Sequence, residues 1–368
     1  YDEEIKELRS EQTALRNVLR ELNNKNIFNF LSDEGLLPNY AFPEAGIVLK
    51  AVLYRQEEPD EEEQDEESGT SQKDKRKYEK MVYEYSRAAS SAISEFAPNN
   101  SFYIDGRKLK IDQIDLTTAQ TAKWRLCPSC SHAQIEEAGK NTSFCPQCGS
   151  PAWADSGQLR TMLKVQMVYS NMDYTKSLIG DESDDRSNVF YCKQLLVDVD
   201  EDNDISSAYR IDNEEFAFGY EFVKKAILRE INFGESDIDG DKVSISGIEE
   251  VRNGFKICKY CGKMQPDHGK PNHTYFCKTR RNLGLSDEPF EECLFLYREF
   301  TTEILRLLIP ATTEDSSTVR TESFVAAFML GMKEYFGNVD HLRSTVTEVP
   351  VPNADYRKQY LVIYDSVP

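Results

Sequence analysis

Cys127-Pro128-Ser129-Cys130 and Cys145-Pro146-Gln147-Cys148 are two C-x-x-C pairs separated by fourteen residues, with Gly149 directly after the second. A C-x-x-C turn aims two thiolates at one ion, and a second such turn completes the tetrahedron that zinc prefers at Zn–S ~2.3 Å. With Cys127, Cys130, Cys145 and Cys148 as ligands no position remains for a reactive water, so the expected centre is a structural zinc ribbon. Dithiol redox exchange, the rival chemistry of a C-x-x-C pair, uses one pair beside a strand–helix unit and has no use for a second.

A second group is less regular. Cys258-Lys259-Tyr260-Cys261-Gly262 is followed by His268, His273, Cys277 and Cys293. Cys258, Cys261, His273 and Cys277 read as C-x2-C and H-x3-C, spacings that suit a Cys3His zinc site. His268 and Cys293 stand as alternatives for the fourth ligand, although Cys293 abuts Leu294-Phe295-Leu296 and reads better as a small hydrophobe. Two zinc ions are therefore the expected cofactors. The nine cysteines, mostly in C-x-x-C pairs without an export signal, fit a reducing cytoplasm better than a disulfide framework.

No catalytic constellation accompanies these clusters. The sequence holds no G-x-x-x-x-G-K-[ST] phosphate loop, no D-E-A-[DH] box, no G-x-S-x-G elbow and no H-E-x-x-H helix. Basic residues do gather beside the cysteines. Lys123, Trp124 and Arg125 abut the first pair, Arg107, Lys108 and Lys110 line an expected hairpin, and Lys278, Arg280 and Arg281 follow Cys277. With Trp124 and Tyr275 available to stack on bases, such patches suit a nucleic-acid strand. The competing reading is that they balance nearby acids.

The elements that must position these residues follow from composition and periodicity. The net charge is −20, yet nine acids and no basic residue lie between Glu57 and Glu67, so the rest of the chain is only mildly acidic. That run is expected to be a disordered acidic loop. No apolar stretch reaches the ~18 to 20 residues that span a bilayer. Leucines, Ile5 and Val18 at three-to-four spacing predict an amphipathic helix over 4–31, and the same spacing predicts helices over 78–96, 216–231, 294–308 and 323–336. Alternation predicts strands over 46–54, 162–169, 189–199, 243–248 and 360–364, and Asp105-Gly106 predicts a hairpin joining 101–104 to 108–111. Cys192 falls in one of these strands and is expected in the core.

The expected class is α+β, built from several small modules. They run as a helix over 1–35 continuing from an upstream part, an extended turn and strand over 36–55, the acidic loop over 56–77, and a helix with hairpin over 78–125. The zinc ribbon over 126–150, a mixed module over 151–255 and a helical zinc-binding domain over 256–368 complete the order.

Several segments then carry a family resemblance. Leu36-Leu37-Pro38-Asn39-Tyr40-Ala41-Phe42-Pro43, Glu95-Phe96-Ala97-Pro98 with Asp105-Gly106-Arg107-Lys108, the Cys258 to Cys277 cluster, Leu296-Tyr297-Arg298-Glu299, and Tyr364-Asp365-Ser366-Val367-Pro368 occur in this order. Together they resemble the region after the motor in DEAD/DEAH-box superfamily 2 DNA helicases of the mitomycin-repair type, and in helicases of phage-defence systems such as DISARM and Druantia. The resemblance implies a zinc-binding accessory region that contacts DNA or docks the motor and its partner subunits, with ATP bound only by motor lobes outside this sequence. The start without Met and the stop at Val-Pro, where that family continues into a glycine-rich turn, read as a fragment of a longer protein. The alternative is a non-catalytic zinc scaffold in a defence complex.

Overall fold

Clean alternation gives strands at once. In the computed structural model, β1 (Ile47–Gln56) buries Ile47, Leu49, Ala51 and Leu53 on one face, and β2 (Tyr78–Arg87) lays Met81, Tyr83 and Tyr85 opposite them. The described residues are 12, 16, 46–56, 78–137, 143–179, 189–212, 218–236, 239–240, 242–265, 273–274, 277–279, 290–310, 317–351 and 356–365. After β2 come α1 (Ala89–Glu95), β3 (Ser101–Ile104), β4 (Arg107–Lys110), β5 (Gln113–Ile114), β6 (Gln120–Leu126), β7 (Ala133–Ile135), β8 (Leu159–Lys164) and β9 (Met167–Asp173). Then follow α2 (Tyr174–Ser177), β10 (Tyr191–Asp198), β11 (Ile205–Arg210), β12 (Gly219–Glu235), β13 (Lys242–Ile245), β14 (Ile248–Val251), β15 (Phe255–Cys258), β16 (Phe290–Leu308), α3 (Ser317–Phe336), β17 (Leu342–Pro350) and β18 (Arg357–Asp365). Gly46 to Val367 form one compact unit, and no helix among the described residues is long and apolar enough to cross a membrane.

Two sheets carry the molecule. A four-stranded sheet runs β2-β1-β9-β5, and a ten-stranded sheet runs β10-β12-β16-β8-β6-β7, with β11 on β12 and with β15 and the β17-β18 pair on β16. The long strands β12 and β16 form its spine. Their register sets Arg229 opposite Glu299, Glu230 opposite Arg298 and Glu221 opposite Arg306, and each arginine Nε donates to its glutamate at 2.7, 2.6 and 2.6 Å. Opposite charges directly across a ladder favour one register over its slips.

β16 is buried on both faces. Leu294 and Leu296 face the four-stranded sheet with Phe255, Ile257 and α1, and further along the same inner face Phe300 and Ile304 meet Val197, Val223, Ala226, Leu228 and Val362. On the outer face Phe295 and Tyr297 pack under Trp124, Leu126 and Ile245. Towards the end of the strand the outer face carries Leu307, which with Leu361 and Ile363 is covered by Phe324, Phe328 and Met329 of α3.

Three helix expectations are corrected. Residues 294–308 form a strand because apolar side chains on both faces leave no alternation to read, and a run of that kind resembles a buried helix. Of the helix expected over 216–231, residues 219–231 belong to a strand whose bulge between Val223 and Ala226 places two buried side chains three residues apart, imitating helical spacing, while 216 and 217 lie outside the described residues. Residues 78–96 divide into β2 and the short α1. The region from 256 onward is thus not a helical domain: among its described residues α3 is the one helix, beside four strands. The helix expected over 323–336 and the 101–111 hairpin are present, the hairpin closing on Asp105 and Gly106 at φ 50° and 70°. The helix over 4–31 is described only at Gln12 and Arg16, both helical, while the 36–43 turn and the acidic run lie outside the described residues.

Candidate metal centres

The first cluster is assembled at one end of β6. β6 runs into Cys127 and β7 leaves after Ser131, so the C-x-x-C turn caps a hairpin whose strands pair at Leu126 and Ala133. Backbone N–H groups of Ser129 and Cys130 both point at the Cys127 sulfur, at 3.4 Å. In the second turn, Gly149 at φ 71° donates to the Cys145 carbonyl at 2.9 Å, a backbone state that costs a residue with a Cβ roughly 1–2 kcal/mol. Cys127 and Cys148 approach to 3.6 Å between sulfurs, Cys130 and Cys145 to 3.7 Å, and all four ligand atoms lie within 4.8 Å of one another. A tetrahedron with Zn–S ~2.3 Å has edges of about 3.8 Å, so the donors fit.

Electrostatics agrees with that geometry. Hydrogen bonds from Cys127 and Cys130 hold the Cys145 thiol far below its ordinary range, while bonds with Cys127, Cys145 and Cys148 push Cys130 far above it. Four sulfurs this close cannot share negative charge without a cation among them.

The cluster is locked to the sheet from several sides. Ser246 and Gly247, at the β13–β14 turn, donate to the Cys127 and Pro128 carbonyls at 2.9 and 2.7 Å, and Arg357 of β18 reaches the Ser129 carbonyl at 2.6 Å. Trp153 is buried against the cysteines, and its carbonyl accepts from Arg125 at 2.9 Å. His132, whose carbonyl accepts from Cys127, lies tilted against Trp153 with ring centroids 5.5 Å apart and faces Asp198 through Nδ1 at 3.1 Å. Burial opposes a charge on His132, but the Asp198 carboxylate outweighs it and raises the ring's pKa. Nothing in the sequence marks this pair, whose partners are 66 residues apart.

The second cluster joins the two sheets. Cys258 ends β15, and Cys258 and Cys277 sulfurs lie 3.7 Å apart. His273 presents Nδ1 to Cys261 at 3.5 Å and to Cys277 at 3.6 Å, and its ring lies 5.5 Å from that of Phe290. The four donors again fall within 4.8 Å, a set that suits a Cys3His ion. The Cys258 thiol is drawn down to about 4 by its hydrogen bond with Cys261, whose own thiol is pushed up by the same contact. Of the rival fourth ligands, Cys293 points to the Arg252 carbonyl at 3.9 Å instead, and His268 lies outside the described residues. Gln113 donates to the Cys261 carbonyl at 2.8 Å, Ile114 to the Gly262 carbonyl at 2.9 Å, and Lys263 pairs with Asp112. β5 of the small sheet is thereby tied to the turn that ends β15 of the large one.

The basic residues fare unevenly. Trp124 is 5% exposed, set against Tyr297 and beneath the Arg229 guanidinium at 4.6 Å, so it has no face to offer a base. Arg125 is 6% exposed and spends its donors on Glu136 and on the carbonyls of Trp153 and Asp155. Arg125 braces the ribbon and Trp124 belongs to the core over β16, so neither side chain is open in this fold for the expected nucleic-acid contact. Arg107 is likewise buried, its guanidinium over Tyr174 at 4.4 Å. Lys123, Lys110 and Lys278 are exposed, whereas Arg280, Arg281 and Tyr275 lie outside the described residues. Cys192 is half-buried rather than fully in the core, its thiol raised to about 11 by burial and by its hydrogen bond to Glu250.

Fold and site together define a strand-rich protein with two cysteine-rich tetrads able to hold metal ions. No family model matches the sequence, and no curated protein matches it. Among solved structures the chain is similar to the crystal structure of the DUF1998 helicase MrfA bound to DNA, at a TM-score of 0.30 and 9% identity. That match covers 93% of this chain and 31% of the other, so the chain spans less than a third of the protein it matches.

Proposed function

We propose that this chain is a zinc-stapled accessory region of a bacterial ATP-dependent DNA helicase, contacting DNA and docking the motor lobes and partner subunits in repair or phage defence. The observation that carries the reading is the convergence of Cys258, Cys261, His273 and Cys277 into one ligand set. That cluster is the most particular member of the ordered segments by which the sequence resembles these helicases. Both tetrads are filled by protein donors, so zinc in either would hold shape and leave chemistry to the motor. Lys110, Lys123 and Lys278 remain exposed for phosphate contact.

The test begins with the metal. Purified protein should carry two zinc ions by mass spectrometry, falling to one in Cys127→Ser and in Cys258→Ser. Forked DNA should then bind in fluorescence anisotropy with an affinity that falls steeply with salt. Absence of DNA binding by the zinc-loaded protein at low salt would reject the reading. The scaffold alternative has one observation in its favour: Tyr335 and Phe336 of α3, 84% and 64% exposed, border an apolar hollow with Phe328 and Met332, a surface of the kind that partners cover. It predicts a stable complex with a partner subunit and no affinity for DNA.

A further inference from the structure

The outer face of the β11–β12 corner carries two exposed rings and two cations beside Tyr220, whose own ring packs on the core beneath α3. Tyr209 and Phe222 are 55% and 45% exposed. Tyr209 pairs across the ladder with Tyr220, their rings stacked at 5.1 Å, and Tyr220 meets Phe222 edge-on at 5.8 Å. Phe222 and Tyr209 are thus diagonal neighbours about 7–8 Å apart, room for a separate base on each ring.

The bulge between Val223 and Ala226 decides what stands beside them. Val223 and Ala226 are both buried in the inner core, at 2% and 0% exposure, and pair with Ile304 and Thr302. Lys224 and Lys225 therefore both oppose the single residue Glu303, and both fall on the outer face with Phe222. A regular strand would have sent one lysine inward. The second bulge, in β11, places Ser206 and Ser207 together opposite Phe222, so two hydroxyl-bearing residues border the same ring. Lys224 and Lys225 are exposed and enter no ion pair among the described residues, although the chain carries a net charge of −20. With the Ser206 hydroxyl donated to the Phe222 carbonyl at 2.9 Å, two rings, two cations and Ser207 on one sheet face provide stacking, charge and a hydrogen-bonding group at once.

From this juxtaposition we infer that the outer face of β11–β12 is a binding track for single-stranded DNA, with Tyr209 and Phe222 stacking on bases and Lys224 and Lys225 taking phosphates. The inference rests on the DNA-contacting reading above and adds the strand state and the surface. Arg210 supplies the internal control: it is exposed on the same strand as Tyr209, one residue on, and so faces the other side of the sheet.

The experiment measures anisotropy of a labelled oligothymidylate, and of a forked duplex in parallel, with the whole chain. Tyr209→Ala and Phe222→Ala should each weaken oligothymidylate binding by about 5- to 150-fold, the range of one lost base stack. Lys224→Gln with Lys225→Gln should lower the slope of log affinity against log salt by about 1.4, at ~0.7 per phosphate of a single strand. Arg210→Gln should leave both unchanged, and all variants should keep the wild-type unfolding midpoint, since every side chain removed is exposed. Retention of oligothymidylate binding by both ring variants, an equal loss in Arg210→Gln, or a preference for oligouridylate would each overturn the track. If the fork still binds in that case, the DNA reading survives without it; if wild-type protein binds neither DNA, both fall.

Discussion

At the scale of single residues, the two C-x-x-C-G turns differ in what surrounds their glycines. Gly149 and Gly262 have φ of 71° and 67°, so each resists a Cβ on conformational grounds. A Cβ at Gly149 meets nothing within 4 Å, whereas at Gly262 it would stand 1.9 Å from the Ile114 carbonyl oxygen, in the joint between the sheets. Gly149→Ala should therefore cost about 1–2 kcal/mol and keep both metals. Gly262→Ala should cost well beyond that and reduce bound zinc from two ions to one, as read by thermal unfolding and metal analysis. Equal destabilisation by the two substitutions would show that the joint is not where the second cluster is anchored. The same scale separates Arg125 from Lys123. Two residues apart on β6, they fall on one side of the strand by its two-residue period, yet Arg125 is buried and consumed by Glu136 and two carbonyls while Lys123 is exposed.

At the scale of elements, the bulge in β12 is the feature with the widest reach. It keeps Val223 and Ala226 on the inner face while three residues separate them, and it gives two lysines to the outer face. Deleting Lys225 should remove the bulge and still leave every other side chain on its native face. The unfolding midpoint should then stay within about 4 °C of wild type, the shift expected for ~1 kcal/mol in a domain of this size. Deleting Ile227, which has a ladder partner in Thr301, shifts the flanking residues to the wrong faces and should abolish cooperative unfolding. Circular dichroism melts of the two deletions distinguish them directly. The arginine–glutamate pairs across β12 and β16 explain the severity of the second: a slip would set Arg306, which is 5% exposed, away from Glu221 and leave its charge to the half-exposed Glu201 alone.

At the scale of the whole molecule, the two clusters hold different joints. The first fastens the β6–β7 hairpin to the β13–β14 turn and to Arg357, all within the large sheet and its neighbour, while the second fastens the large sheet to β5 of the small one. Cys258→Ser should accordingly expose the segment around Asp112 to Asp115 to limited proteolysis and spare the ribbon, and Cys127→Ser should do the reverse around Gly149. Chelation of both ions should lower the unfolding midpoint more than either substitution. Identical cleavage patterns for the two variants would refute the division of labour. What the sequence determined by itself was local: ligand spacing, the turn glycines after the Cys145/Cys148 and Cys258/Cys261 pairs, the Asp105-Gly106 hairpin and the helix ending at Phe336, because each depends on residues within one or two turns of chain. Only the tertiary structure decided that 219–231 and 294–308 are strands, since burial on two faces and a bulge both erase the two-residue period. It also decided that Trp124 and Arg125 are both buried, that His132 meets Asp198, and that Tyr209, Phe222, Lys224 and Lys225 share one surface. Those facts rest on ladder registers between distant strands, and periodicity along one strand carries no information about its partner.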